Sequence, residues 1–202
     1  NRTRISLWFG LTGCGLPGLP RDISQARPEV SPLRGWLRDR LPGLDPERIT
    51  VCPGAQSALL AVIGTLAAPG EIICAEALTY PGLKALAAQL RVTIVGLAMD
   101  AEGVVPEAFE AACRDHPVKA LCCTPTLQNP TTATMSLARR AALVAIARAH
   151  AVPIVEDDAY GLLPQESPPP LAALAPELSF HIAGLAKHVS PALRIAYLVA
   201  PD

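Results

Sequence analysis

Residues 136–161 read SLARRAALVAIARAHAVPIVEDDAYG, and the order of events inside this stretch sets the fold class. Ser136 is placed as an N-cap, and Leu137, Ala141, Val144 and Ala147 or Arg148 follow at helical spacing, so 137–150 is predicted to be an amphipathic helix. Val152, Pro153, Ile154 and Val155 then form a short apolar run with no polar alternation. Such a run fits a strand covered on both faces, as in a mainly parallel sheet. It ends abruptly in Glu156, Asp157 and Asp158.

The same alternation extends outward. Apolar runs at 49–52, 71–75, 92–97, 118–124, 180–183 and 195–200 are expected strands, and 55–67, 82–90 and 106–115 expected helices. Repetition of strand, helix and strand predicts an α/β fold with a doubly wound, mainly parallel sheet, whose chemistry lies beyond the carboxyl ends of the strands. Residues 164–176, with successive prolines from Pro168, are expected to be an irregular surface connection. Residues 1–48 are set apart as a partly irregular N-terminal segment and 49–202 as the domain itself.

Half of the 202 residues are hydrophobic, enough to bury a substantial core. With 17 basic against 18 acidic side chains, the chain has no long-range field to gather nucleic acid or an anionic membrane. The longest weakly polar run, 57–69, is too short to cross a bilayer and is interrupted by Gly64 and Thr65. Nothing near Asn1 resembles a secretion signal, so a cytoplasmic location is expected, and the absence of an initiating Met suggests a piece of a longer chain. Of Cys14, Cys52, Cys74, Cys113, Cys122 and Cys123, four sit in apolar runs and are expected as buried free thiols. Adjacent Cys122 and Cys123 should face opposite sides of a strand and lack zinc-site spacing, so no metal site is expected.

Five segments follow expected strands. Pro53-Gly54-Ala55-Gln56-Ser57 is a strand-to-helix turn whose free amides suit a phosphate, although Gly also serves such turns as plain steric relief. In Thr79-Tyr80-Pro81-Gly82 the aromatic ring is suited to stacking on a heterocycle or to packing. TPTLQNPTT at 124–132 offers the Asn129 amide either to a phenolic oxygen or to its own Asn-Pro turn. A carboxylate among Glu156, Asp157 and Asp158 needs a cationic partner, such as a protonated pyridine nitrogen, or a helix to cap; Tyr160 lies within reach of the same ring. In AGLAKHVSPALRIAYLVAP at 183–201, Lys187 either snorkels to water or acts as a nucleophile toward an aldehyde. Arg194 presents a fixed fork of donors suited to phosphate, and His188 a local surface or supporting role.

Taken together and in this order, the segments across 49–201 resemble the fold-type I pyridoxal 5'-phosphate (PLP) enzymes of the class I/II aminotransferase family. TLQNPTTATMSLARR (126–140), VEDDAYG (155–161) and AKHVSPALR (186–194) resemble more narrowly the aminotransferase-like domain of MocR-type regulators of the GntR family, in which a DNA-binding winged helix comes first. The resemblance implies that Lys187 forms the internal aldimine and shuttles the substrate proton, and that Asp157 pairs with the ring nitrogen. It further implies that Tyr160 and Asn129 bond the phenolic oxygen, that Tyr80 stacks on the ring, and that the Gly54 turn, the Ala55 and Gln56 amides and Arg194 hold the phosphate.

The implied activity is amino-group transfer between an amino acid and a 2-oxo acid. The alternative is an effector-sensing domain of a regulator with little or no turnover, which would touch DNA only through a winged helix outside this chain. A homodimer is implied in either case. Three departures stand out: Gly184 replaces a phosphate-binding Ser of many relatives, Ala192 replaces a Gly after Pro191, and the chain stops at Asp202, before the small C-terminal domain with its substrate-binding arginine. No tyrosine-bearing segment of the kind that relatives place ahead of the first strand is recognisable at 25–44.

Overall fold

The computed structural model describes Leu37 and residues 39–202. Cys14 and most of the 25–44 stretch lie outside the described residues. The strands are β1 (Ile49–Cys52), β2 (Ile72–Glu76), β3 (Thr93–Leu97), β4 (Met99–Asp100), β5 (Gly103–Val104), β6 (Val118–Cys123), β7 (Ile154–Asp157), β8 (Ser179–Gly184) and β9 (Ala196–Val199). The helices are α1 (Ala55–Leu66), α2 (Pro81–Leu90), α3 (Pro106–Asp115), α4 (Leu137–Ala149) and α5 (Leu171–Leu174).

Seven strands form one sheet in the order β1-β9-β8-β7-β6-β2-β3, with β4 and β5 as a separate hairpin. From β3 to β8 every neighbouring pair is parallel, as the uninterrupted apolar runs predict. β9 runs antiparallel to both β8 and β1, so β1 keeps the common direction.

Helices cover both faces. Leu59, Val62, Ile63, Leu83 and Leu86 of α1 and α2 pack with Ile73, Cys122, Val155 and Ile182. On the other face Phe109, Leu143, Val144 and Leu171 of α3, α4 and α5 pack with Cys74, Leu121, Cys123 and Ile154. Each fully enclosed Phe or Leu side chain contributes about 1.5–3 kcal/mol by leaving water. Cys122 and Cys123 fall on opposite faces, as the two-residue period of a strand requires, and all five described cysteines are free thiols. No helix among the described residues is long and apolar enough to cross a membrane.

The expectation for 164–176 needs correction, because its second half is neither irregular nor wholly on the surface. Pro170 caps α5, and Leu171 is fully buried. A proline costs nothing at a helix start, where its missing N–H would have no partner. The next two amides, of Leu171 and Ala172, each donate 3.0 Å bonds to the buried Glu156 carboxylate. Proline also begins α2, one residue ahead of the expected 82.

The β4–β5 hairpin was not anticipated. It turns at Ala101 and Glu102, with Gly103 (φ +102) opening β5, and is tied to α4 by Arg139, which grips both oxygens of Asp100 at 3.2 and 2.6 Å.

An arginine also lies inside. Arg140 is fully buried, donating to the Met135, Pro125 and Pro169 carbonyls and to the Thr126 hydroxyl at 2.9–3.2 Å, with Glu156 3.9 Å away. Arg140→Met removes those donors and leaves Glu156 without its buried cation, so it should lose about 3–5 kcal/mol in urea unfolding. Thr126→Val, which removes a single acceptor, should lose only about 1 kcal/mol.

Candidate active site

The register of β9 explains why one edge of the sheet gathers so many polar groups. Gly184 at the end of β8 and Cys52 at the end of β1 both pair with Ala196 at the start of β9. Residues that precede β9 therefore stand beside residues that follow β1, β7 and β8. A cavity of about 580 Å³ opens there, and Gly54, Ala55, Gln56, Tyr80, Asn129, Asp157, Tyr160, Lys187 and Arg194 all line it. Ser57, Thr124 and Gly184 line it as well.

One wall is the start of α1. Gly54 adopts φ +90 and ψ +160, a conformation essentially reserved for glycine, and supplies no side-chain cap. The first-turn amides of a helix have no partner inside the helix and carry its positive end. Those of Ala55, Gln56 and Ser57 lie along the cavity, with the exposed Arg194 guanidinium on the same wall. A Cβ built on Gly184 would meet only Ala55 and Ile195, each at 3.9 Å, so glycine is not required there by space. Ala192 has no positive φ, and its replacement of a glycine leaves the turn unstrained.

The aromatic wall is Tyr80. Its hydroxyl accepts a 2.7 Å bond from the Gln56 side chain, and a Cβ on Gly82 would strike its ring at 2.3 Å, so Gly82 lets the ring fold back. Gln56 thus contributes through its side chain as well as its amide. Buried Gln128 joins this wall to the Asn129 loop by donating to the Leu78 carbonyl at 2.6 Å and accepting from the Thr131 amide and hydroxyl.

The floor is the end of β7, where the side chains alternate. Asp157 turns toward the cavity and its Oδ1 is buried without a hydrogen-bond partner among the described residues. Burial first, then the Asp158 and Glu76 carboxylates, push its pKa up to about 7. Asp158 turns away and is fully buried, its Oδ2 3.1 Å from both Arg40 Nη2 and His181 Nε2. Burial works against both charged forms, but their mutual attraction wins. His181, Arg40 and Arg140 hold Asp158 below the ordinary carboxylate value, and Asp158 and Glu156 hold His181 above the ordinary imidazole value.

Lys187 stands on the open rim, exposed, its Nζ 6.0 Å from the centre of the Tyr160 ring. Neighbouring His188 ties two walls together: its Nδ1 lies 3.0 Å from the Gly184 carbonyl, and its Nε2 accepts from the Leu162 amide at 3.4 Å. Burial pushes its pKa below the usual value.

A doubly covered, mainly parallel sheet with its polar groups gathered at one edge is the architecture of solved aminotransferases. An archaeal alanine:glyoxylate aminotransferase superposes with a TM-score of 0.80 at 28% identity, over 85% of this chain and 45% of that one. LysN, the α-aminoadipate aminotransferase of Thermus thermophilus, solved with N-(5'-phosphopyridoxyl)-L-leucine, gives 0.77 at 28% identity over 84% and 45%. The family model for aminotransferase class I and II matches residues 22–202, and the chain belongs to that family.

Its curated relatives include transcriptional regulators. The uncharacterized HTH-type regulator YdeF of Bacillus subtilis is 37% identical over 77% of this chain and 34% of its own length. The HTH-type pyridoxine biosynthesis regulator PdxR of Corynebacterium glutamicum is 32% identical over 90% and 42%. The chain spans less than half the length of these relatives.

Sequence reasoning missed Arg40, Asp158 and His181 as a group. The one available signal was a histidine inside the apolar run FHIAG, which a buried strand tolerates only with a partner. The pair makes stability depend on pH. His181, raised on folding, stabilises fully below the ordinary imidazole value and loses that contribution as pH rises through its folded value; Asp158, lowered, loses its contribution only in acid. Urea midpoints measured from about pH 5 to about pH 9 should therefore fall toward the alkaline end, and His181→Gln should flatten that limb.

Proposed function

We propose that residues 49–202 form a PLP-binding domain of the aminotransferase type, with amino-group transfer between an amino acid and a 2-oxo acid as its chemistry. The observation that carries the reading is Asp157 Oδ1, buried with no hydrogen-bond partner among the described residues, in a cavity that the free amide end of α1 also lines. An acceptor for a protonated ring nitrogen and a cradle for a phosphoryl group thus share one space, with an amine at its mouth. The residues present fit that group.

When bound, the cofactor supplies an electron sink for the bond broken at the substrate α-carbon. This chain's residues do the rest. The Ala55 and Gln56 amides and Arg194 would neutralise the phosphate, the Gly54 turn leaves those amides open, and Tyr80, oriented by Gln56, would pack against the ring. Asp157 would keep the ring nitrogen protonated, Tyr160 and Asn129 would donate to the phenolic oxygen, and the Lys187 amine would hold the cofactor and carry the substrate proton.

A second reading, an effector-sensing domain that binds PLP and an amino compound with little turnover, is favoured by the HTH-type relatives. A DNA-binding winged helix would then precede this domain. In both readings the protein works in the cytoplasm as a homodimer. Half-transamination of amino acids by the PLP-loaded protein separates them: stoichiometric conversion supports the enzyme, while spectral change on ligand addition without conversion supports the sensor.

Adding PLP should produce the visible absorbance band of a lysine-bound cofactor, and Lys187→Ala should abolish it; an undiminished band in that variant overturns the reading. Gly184→Ser has room for its Cβ and adds a hydroxyl donor beside Ala55. It should tighten PLP binding by about 1.5–3 kcal/mol, roughly tenfold or more in the dissociation constant.

A further inference from the structure

We propose that Arg40 is a positioning residue that couples the N-terminal segment to the cofactor cavity, by holding from behind the turn that aims Asp157 and Tyr160. The proposal rests on the PLP reading above and adds a route by which occupancy of the site reaches residues ahead of the first strand.

Two independent contacts carry it. Arg40 donates through Nη2 to Asp158 Oδ2 and through Nη1 to the Gly161 carbonyl, both at 3.1 Å and both across more than a hundred residues of sequence. Asp158 and Gly161 bracket Tyr160, and Asp158 directly follows Asp157. The turn between them is tight, since a Cβ on Gly161 would lie 2.2 Å from Asp158 Oδ1. A guanidinium that fixes both ends of such a turn therefore fixes the direction of the side chains it carries.

The second contact is apolar. Leu37 and Leu41 are buried with Ala183, Leu185 and Tyr197, so the same segment rests against the chain two residues before Lys187. Its backbone is held locally by the Leu41 amide to the Leu37 carbonyl at 2.8 Å and the Leu44 amide to the Leu41 carbonyl at 3.1 Å. One short segment thus supports, from outside the cavity, the turn bearing Tyr160 and the loop bearing Lys187.

If docking of this segment favours the geometry that binds cofactor, cofactor must favour docking by the same factor. In the full chain, Arg40→Met should weaken PLP binding about tenfold, Arg40→Lys by less, and Asp158→Asn should add little further loss in the Arg40→Met background. A role confined to fold stability would slow exchange at all globally protected amides alike: PLP added to the parent chain should instead slow hydrogen exchange at the Leu41 and Leu44 amides more than at amides of β3 on the far edge of the sheet, and that excess should shrink in Arg40→Lys.

An Arg40→Met affinity within about twofold of the parent, far below the coupling expected of linked sites, overturns the proposal, as does exchange at those amides slowed no more than in β3. The exchange measurement needs no variant, so it decides even if Arg40→Met fails to fold. Failure of the parent chain to take up PLP at all removes the cofactor reading and this proposal with it, whereas normal uptake with either negative result removes the coupling alone.

Discussion

Three consecutive carboxylates at the end of a central, covered strand set the terms for the rest of the molecule. Taking a carboxylate out of water costs several kcal/mol unless charge or hydrogen bonds replace the solvent. The strand's two-residue period sends Glu156 and Asp158 to one face and Asp157 to the other. Glu156 is met by the amino end of α5 and by Arg140, and Asp158 by His181 and Arg40. Both are paired on that face, although Asp158 Oδ1, Ser179 Oγ and His181 Nδ1 stay buried with no hydrogen-bond partner among the described residues. Asp157, on the cavity side, has a buried oxygen that no donor among the described residues reaches, and its raised pKa reflects that environment. The polar layer behind β7 is thus what leaves a single carboxylate facing the cavity.

The direction of β9 is the second constraint. In a wholly parallel sheet the start of a strand lies at the edge opposite the functional loops. Because β9 runs against its neighbours, Arg194 enters it at the same edge where β8 delivers Gly184 and Lys187 and where β1 delivers Gly54. Two kinds of donor are therefore brought to one cavity from segments more than a hundred residues apart, and they differ in rigidity. Backbone amides at the α1 start are fixed by the helix, while the exposed Arg194 side chain would have to be ordered by any ligand it held, at a cost in conformational entropy.

Much of this was legible in the sequence, for reasons that can be named. Continuous apolar runs without alternation announce covered strands, and the Gly54 turn, the strand-end acids and the lysine segment each follow one, so topology brings them together. What composition does not carry is strand direction, so the antiparallel course of β9 had no sequence signal. The short helix after Pro170 was hidden because prolines that forbid a helix interior also favour a helix start. The contact between Arg40 and Asp158 joins residues 118 positions apart and follows no local period. Lys187 illustrates a different gap: its apolar surroundings in sequence suggested either enclosure or escape, and the fold sets it on the exposed rim.

Membership in one family alongside both aminotransferases and HTH-type regulators places a demand on the site that chemistry alone does not. A ligand shifts a conformational equilibrium only by its differential affinity for the two states. A catalytic site can be rigid and silent, but a sensing site must contact something whose position differs between states. The cavity walls formed by α1 and β7 are packed into the core and have little freedom to move. The turn from Asp158 to Gly161 is different, since it is braced from the N-terminal segment through one guanidinium. On the proposed reading, cofactor held against Asp157 and Tyr160 on one side of that turn, and residues 37–44 held through Arg40 on the other, would favour each other through the same few backbone angles. The physical difference between an enzyme and a sensor built on this fold then lies less in the cavity than in how firmly the chain behind it is held.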